Sequence, residues 1–445
     1  MYYNILIMNN KFDQSKFMNN LNSFNLNTSH PLIPSSQEYI FYKKYVSIHS
    51  EDRDTTKFPN SSEFEIELPE DLLNVASLAL INWSFPSNYN VFSAANNNIA
   101  FAFKINNPYN PAEFGVADDY NYRIYQALYD IQNTPYIFTI EEGFYNPDQM
   151  TTELTNKMNF IVTKKITEYF TVQNNNNPSD GWDVTLKNFQ LNGGYKRFII
   201  VYNNVSARIW FGNTTDPFTI LNQLSALEQV IDVYGRCSIK ESVPDTTVWG
   251  LSCNLGLPRC DTPSVSSGTV GNLSDFELVN GITVPRFFYG NVTPGDDGFW
   301  LLPNLDLSGS EVHWVEATWK INLMGDAYMY MELAGQNCID ETQPYNISNF
   351  TLTTNQTNGI VNSSFAKLSI PTTPVSQWFD QLSHPYKVYY PPAERIRRLR
   401  IKLRYHNGRT VDFGIFNYSF MIQFTLMVPQ ILRTTNSSVY PPAQY

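Results

Sequence analysis

Between residues 63 and 68 the chain alternates without a break: Phe64, Ile66 and Leu68 fall on one side of an extended backbone, Glu63, Glu65 and Glu67 on the other. A period of two is that of a β-strand with one dry face and one wet face. The surrounding stretch, 45–90, keeps the same pattern. Residues 44–48 form a short strand in which Val46 and Ile48 alternate with Tyr45 and Ser47. The charged turn Glu51-Asp52-Arg53-Asp54 follows. Residues 74–85 supply a longer strand with Val75, Leu78, Leu80, Ile81, Trp83 and Phe85, stopped at Pro86-Ser87-Asn88. Strands that are apolar on one face cannot bury themselves, so the rest of the chain must bring a second sheet.

Candidates for that sheet lie near the other end. Segments 314–323, 327–333 and 364–370 alternate as strands; 386–390 runs into Pro391-Pro392; and 396–405 sets isoleucine and leucine against Arg397, Arg398, Arg400, Lys402 and Arg404. His406-Asn407-Gly408 makes a tight turn in which Asn-Gly favours type I′. The last strand, 419–428, places Phe420, Ile422 and Phe424 on one face.

The middle is mixed. Strands are expected at 98–105, 136–140, 182–186, 197–202 and 207–211. A helix is expected over 146–168, with Asn146 as N-cap, Pro147 in the first turn, and Met150, Leu154, Met158, Ile161 and Ile166 at helical spacing. A second helix is expected over 217–230 from Leu221, Leu224, Leu227 and Val230. Residues 1–37 read as an extended N-terminal arm with thinly spaced Phe12, Phe17, Leu21, Phe24 and Leu26; 236–306 as a loop-rich insertion; and 431–445 as a C-terminal tail. The body then comprises 38–235 and 307–430. The expected fold class is mainly β, a jelly-roll β-sandwich with two short helices, a long loop insertion and an extended arm. A double jelly roll broken near residue 240 is the alternative.

Composition narrows function by exclusion. Aromatic residues at 15% against charged residues at 16% describe a β-rich chain with a polar surface, neither helical nor disordered. A net charge of -11 sets nucleic acid aside as the primary partner. No apolar run reaches the roughly 18 residues of a spanning helix, and the N-terminus lacks the basic region of a secretory leader. Cys237, Cys253, Cys260 and Cys338 have no C-x2-C spacing and the five histidines are scattered, so neither metal nor cofactor is expected; whether Cys253 and Cys260 bridge stays open. No G-x-S-x-G, Walker A, G-x-G-x-x-G or H-E-x-x-H pattern occurs, and Gly143 reads as a turn residue rather than a phosphate cradle. Catalysis is not expected.

Three constellations remain. Glu51, Asp52 and Asp54, beside His49, could bind a cation or serve acid-base chemistry; the plainer reading is a solvated or salt-bridged loop, with Asp52, Arg53 and Asp54 a structural turn in which Arg53 clamps a neighbouring loop. Arg398, Arg400, Lys402 and Arg404 share one strand face and form the candidate partner-contact patch, against the plainer reading of a solvated face that discourages edge pairing. Trp314, Trp319, Tyr328 and Tyr330 could stack on sugars or bases, though at strand spacing such residues belong to a core.

The order of these motifs resembles the minor capsid proteins of nucleocytoplasmic large DNA viruses. The similarity rests on Ser50-Glu51-Asp52-Arg53-Asp54, Pro59-Asn60, the strand 64–68, Phe85-Pro86-Ser87-Asn88-Tyr89-Asn90, and Ile140-Glu141-Glu142-Gly143-Phe144-Tyr145 entering a helix. Toward the end it rests on Phe365-Ala366-Lys367-Leu368, residues 399–403, Gly408, Asp412 and the strand 420–426. The resemblance implies a jelly-roll protein without catalysis, lying under or between capsomers of an icosahedral virion assembled in the host cytoplasm. Its partners would be the major capsid protein and other minor capsid proteins. A pentameric vertex protein, or a carbohydrate-binding attachment protein using aromatic residues in 236–306, are the alternatives.

Overall fold

The structure, a computed structural model, describes residues 39–86, 90–115, 119–225, 250–266, 276–279, 282–288, 299–342, 361–370, 377–380, 386–406 and 408–429. The expected arm and tail, and much of the expected insertion, lie outside these residues. The fold is mainly β and antiparallel.

The first described segment holds β1 (Tyr39–His49) and β2 (Glu63–Pro86). The middle of the chain gives β3 (Ala100–Ile105), α1 (Asp119–Asp130), β4 (Tyr136–Thr139), α2 (Pro147–Asn176), α3 (Trp182–Leu191), β5 (Phe198–Asn203), β6 (Arg208–Asn213), β7 (Phe218–Ile220), the single turn α4 (Leu251–Asn254), β8 (Thr262–Pro263), β9 (Val265–Ser266), β10 (Phe276–Val279), β11 (Ile282–Phe288), β12 (Phe299–Trp300) and β13 (His313–Glu316). The last part gives β14 (Tyr328–Leu333), β15 (Ile339–Thr342), β16 (Val361–Ser364), β17 (Ala366–Ser369), β18 (Gln377–Asp380), β19 (Tyr386–Arg404) and β20 (Ser419–Pro429).

The two ends of the chain build one sheet, ordered β1-β20-β2-β19-β14-β17, with β18 also on β2. The separate strands expected at 64–68 and 74–85 are one strand of 24 residues. It bends at Asn74, whose φ of 51° lies in the left-handed region that asparagine tolerates. Before the bend β2 pairs with the C-terminal half of β19; beyond it, its neighbours are β20, β18 and the start of β19. β19 changes register at the same corner, between Val388 and Ala393. The sheet therefore folds over itself into two layers. Their faces meet where Tyr418 lies 6.1 Å from Phe64 before the bend and 4.8 Å from Phe85 beyond it, ring centre to ring centre. Phe64, Val75, Leu78, Leu80 and Phe85 are completely buried there, the condition an alternating strand needs to hold its register.

The middle of the chain builds a second core. Two four-stranded sheets, β4-β3-β7-β8 and β5-β6-β13-β9, share it with α1, α2 and α3. α2 carries the predicted cap: Gln149 N donates to Asn146 Oδ1 at 2.7 Å, and Asn146 N donates to Gln149 Oε1 at 3.0 Å. It runs 30 residues, beyond the expected end at 168, because Met150, Leu154, Met158, Val162, Ile166 and Phe170 recur every fourth residue and are all fully buried.

Several expectations are corrected. Residues 182–186, expected as a strand, open α3, where Trp182, Thr185 and Phe189 are buried at helical spacing; a five-residue apolar run cannot separate the two periods. The helix expected from 217 begins instead as β7, paired with β3 and β8; helical turns occupy only 222–225, and 226–230 lie outside the described residues. The strand expected over 314–323 is confined to His313–Glu316 and pairs with β6, so Trp314 belongs to the middle of the chain rather than opposite β2. α1 was not anticipated, and with α2 at 30 residues the two-short-helix expectation fails among the described residues. Part of the 236–306 stretch is core, since Leu251, Leu255 and Leu257 are buried against the second cluster.

Candidate interaction surface

The acidic turn is the latch between the two chain ends. Arg53 donates to the carbonyls of Ser50 (2.7 Å), Phe58 (3.0 Å) and Pro59 (3.1 Å), and to Asn417 Oδ1 at 2.8 Å in the loop entering β20. Ser50 and Tyr418 complete the join: Ser50 N donates to Tyr418 O, and Tyr418 N to Ser50 Oγ, both at 2.9 Å. A planar guanidinium with five donors suits several carbonyls at once. Asp54 Oδ1 accepts from Thr56 N (3.0 Å) and Lys57 N (3.2 Å), closing its own turn, while Asp52 points to solvent.

The basic strand lies directly against the acidic one. In the β2–β19 register Arg398 stands opposite Glu67, Arg400 opposite Glu65 and Lys402 opposite Glu63. Diagonal ion pairs join Arg398 to Glu65 (3.5 Å), Arg400 to Glu63 (2.6 Å), Arg397 to Glu67 (2.5 Å) and Arg395 to Asp71 (2.5 Å). The register shift between Ile396 and Arg398 turns both Arg397 and Arg398 outward. The outer face of this layer is therefore a mixed-charge ladder, not a bare cationic patch. Each pair is solvated and adds little stability.

Arg404 departs from the patch reading. It is only 3% exposed and holds Glu332 and Glu341, with His406 Nδ1 3.2 Å from Glu341 Oε2. Burial alone would lower its pKa, but the two carboxylates outweigh that and the net shift is upward. Arg404 thus ties β14 and β15 to the end of β19 and is withdrawn from any partner.

A second buried charge had no reading in the sequence beyond the start of a helix. Asp216, fully buried, accepts from Arg197 (2.7 Å), Tyr195 Oη (2.8 Å) and Tyr109 N (3.1 Å). Asn213 orients the group by donating to Tyr195 Oη and accepting from Asp216 N, both at 2.8 Å. Burial, then the Asp216 charge, pushes the Tyr195 hydroxyl well up, so it stays a donor. Every member has its partner, which makes this a structural knot of the second core.

A concavity of about 510 Å³ lies where Glu141, Glu142, Tyr145, Asp148 and Glu153 surround the entry to α2. Two of its carboxylates are engaged locally: Glu142 accepts from Ala94 N (2.8 Å) and Glu153 from Glu141 N (3.3 Å). Gly143 exchanges two 2.9 Å hydrogen bonds with Phe92, so its amide is spent on a bridge rather than offered to an anion. Of the aromatic candidates, Trp314 and Tyr330 are core, while Trp319 and Tyr328 are exposed, the latter beneath the Lys367 ammonium at 3.7 Å.

No protein-family model and no curated protein matches the chain. Among solved structures, it is similar to the mavirus penton protein, with 7% identity over 88% of this chain and 100% of that one at a TM-score of 0.33. It is also similar to a chain of the Sputnik virophage, with 11% identity over 87% and 98% at a TM-score of 0.34. Both likenesses are slight.

Proposed function

We propose that this chain is a structural protein of the icosahedral shell of a large DNA virus, a minor capsid protein that cements the shell through contacts with the major capsid protein and other minor capsid proteins. It carries no catalytic role, and its place is the virion, assembled in the host cytoplasm. The observation that supports this most is the meeting of the two motif sets of the family resemblance, which lie at opposite ends of the chain. Arg53 from the opening set is bound to Asn417, and Phe64 and Phe85 pack on Tyr418 just before the closing strand. Motifs from opposite ends of the chain that pack into one core fit the single β body that the resemblance implies. The mixed-charge outer face of β2 and β19 suits the modest, repeated polar contacts of a shell.

The test is quantitative mass spectrometry of purified particles, stripped stepwise of membrane and genome. The chain should remain with the shell fraction in a fixed ratio to the major capsid protein. Recovery only from infected-cell lysate would refute the proposal. Stable pentamers of the purified protein would move its place to the vertex.

A further inference from the structure

The latch between the chain ends carries a feature that fastening them does not use. The loop that enters β20 is tied down along its length. Val411 and Phe413 are buried in the folded sheet, and Val411 N donates to Leu403 O at 3.1 Å. Asp412 Oδ1 accepts from Gly414 N at 2.8 Å, and Phe416 N donates to Phe413 O at 3.2 Å, closing a tight turn in which Gly414 takes a φ of 60°. Beyond the turn, Phe416 O accepts from Ser61 Oγ at 3.2 Å and Asn417 Oδ1 from Arg53 at 2.8 Å. These bonds fix the backbone of the tip and leave its two apolar side chains outside: Ile415 is 90% and Phe416 51% exposed. Single exposed apolar residues are ordinary on a protein surface. Two in succession on a backbone already ordered form a knob that loses little conformational freedom on entering a pocket.

The surroundings of the knob select its partner. Ser50 and Arg53 tie the acidic turn to this loop through Asn417, so the carboxylates of the turn stand beside the knob. On the two loops, residues 50–62 and 412–417, Glu51, Asp52, Asp54 and Asp412 are exposed, against the cations Lys57 and Arg53. The Arg53 guanidinium is turned onto the carbonyls of Ser50, Phe58 and Pro59. An apolar tip in an acidic collar is repelled by anionic headgroups, which sets a lipid surface aside. A second copy is disfavoured too, since a two-fold contact at this tip brings like charges together. The complement is a protein pocket with apolar walls and lysine or arginine at its mouth.

We infer that Ile415 and Phe416 anchor the chain in such a pocket, apolar within and basic at the rim, on a neighbouring protein of the shell. The inference names a contact for the shell role proposed above and rests on that reading.

The experiment immobilises the full chain and passes over it the dissociated proteins of purified particles, major capsid protein included, at physiological salt. The variant Ile415→Ser, Phe416→Ser, its fold checked by thermal unfolding, should bind more weakly by on the order of tenfold or more. Glu51→Gln with Asp52→Asn should chiefly slow association, an effect that added salt erases. A photoreactive benzoylphenylalanine in place of Phe416 should cross-link to apolar residues beside lysine or arginine on a shell protein. Serine variants that bind like wild type overturn the inference. So do cross-links to copies of this chain alone, or flotation of wild type, but not of the serine variant, with phosphatidylcholine–phosphatidylserine vesicles. The two readings fail separately. A wild-type chain that binds no shell protein refutes the shell role along with the anchor, whereas binding that survives the serine changes refutes the anchor alone.

Discussion

Replacing Arg404 by Met is the sharpest perturbation the structure offers. The methionine keeps most of the side-chain volume but removes the buried guanidinium bonded to Glu341, whose side chain is 6% exposed, and it also releases the more exposed Glu332. Removing the buried partner of this carboxylate, which keeps only the half-exposed His406 at 3.2 Å, costs up to about 3–5 kcal/mol. For a body of this size that corresponds to a fall in melting temperature on the order of 10 °C. The double variant Arg404→Met, Glu341→Gln removes the unpaired charge and should recover more than half of the loss. Thermal unfolding of wild type, Arg404→Met, Glu341→Gln and the double variant measures the cycle. A single-variant loss below about 1 kcal/mol, or a double variant no better than the single, would refute a buried ion pair here.

Four further outcomes follow from the same packing. Phe64→Ala, at a fully buried site touching Tyr418, should cost about 3–5 kcal/mol in chemical denaturation, and Phe64→Asp should abolish folding. Arg53→Ala, which removes four hydrogen bonds, one of them across the latch to Asn417, should cost about 2–4 kcal/mol, whereas Glu51→Ala in the same turn should stay within about 0.5 kcal/mol. Arg398→Ala or Arg400→Ala should each cost less than about 1 kcal/mol, and the difference from wild type should shrink in molar salt. Burial, with Glu153 and Glu141 nearby, pushes the Tyr145 hydroxyl up to about 12. The native state therefore keeps a proton that the unfolded chain releases near pH 10, and the stability present below pH 10 is lost as pH rises toward 12; Tyr145→Phe should flatten that part of the curve.

Much of the folded sheet was legible because strand alternation is a local signal. Phe64, Ile66 and Leu68 announce a face, and so do Phe420, Ile422 and Phe424. The helix at Asn146 was legible for the same reason, since cap and stripe are both local. The division into two cores was not. Nothing in residues 314–316 says that they pair with β6 instead of facing β2, because period two gives a face and not a partner. α3 was misread since Trp182-Asp183-Val184-Thr185-Leu186 fits either period until Phe189 is counted. The basic run was legible as a strand face, but its meaning depended on which strand lay beside it. Only the pairing with Glu63, Glu65 and Glu67 converts it into a ladder, and only the approach of Glu332 on β14 and Glu341 on β15 makes Arg404 a buried partner. Asp216 gave no signal, because an Asp-Pro pair is far more common at a helix start than as a buried acceptor.

A cryo-EM map of the intact particle tests the central claim most directly. We expect density in the shell fitting the folded sheet of β1, β2, β14, β19 and β20, in contact with major capsid protein. A shell fully accounted for by other chains, with this protein absent or lodged with the genome, would contradict it.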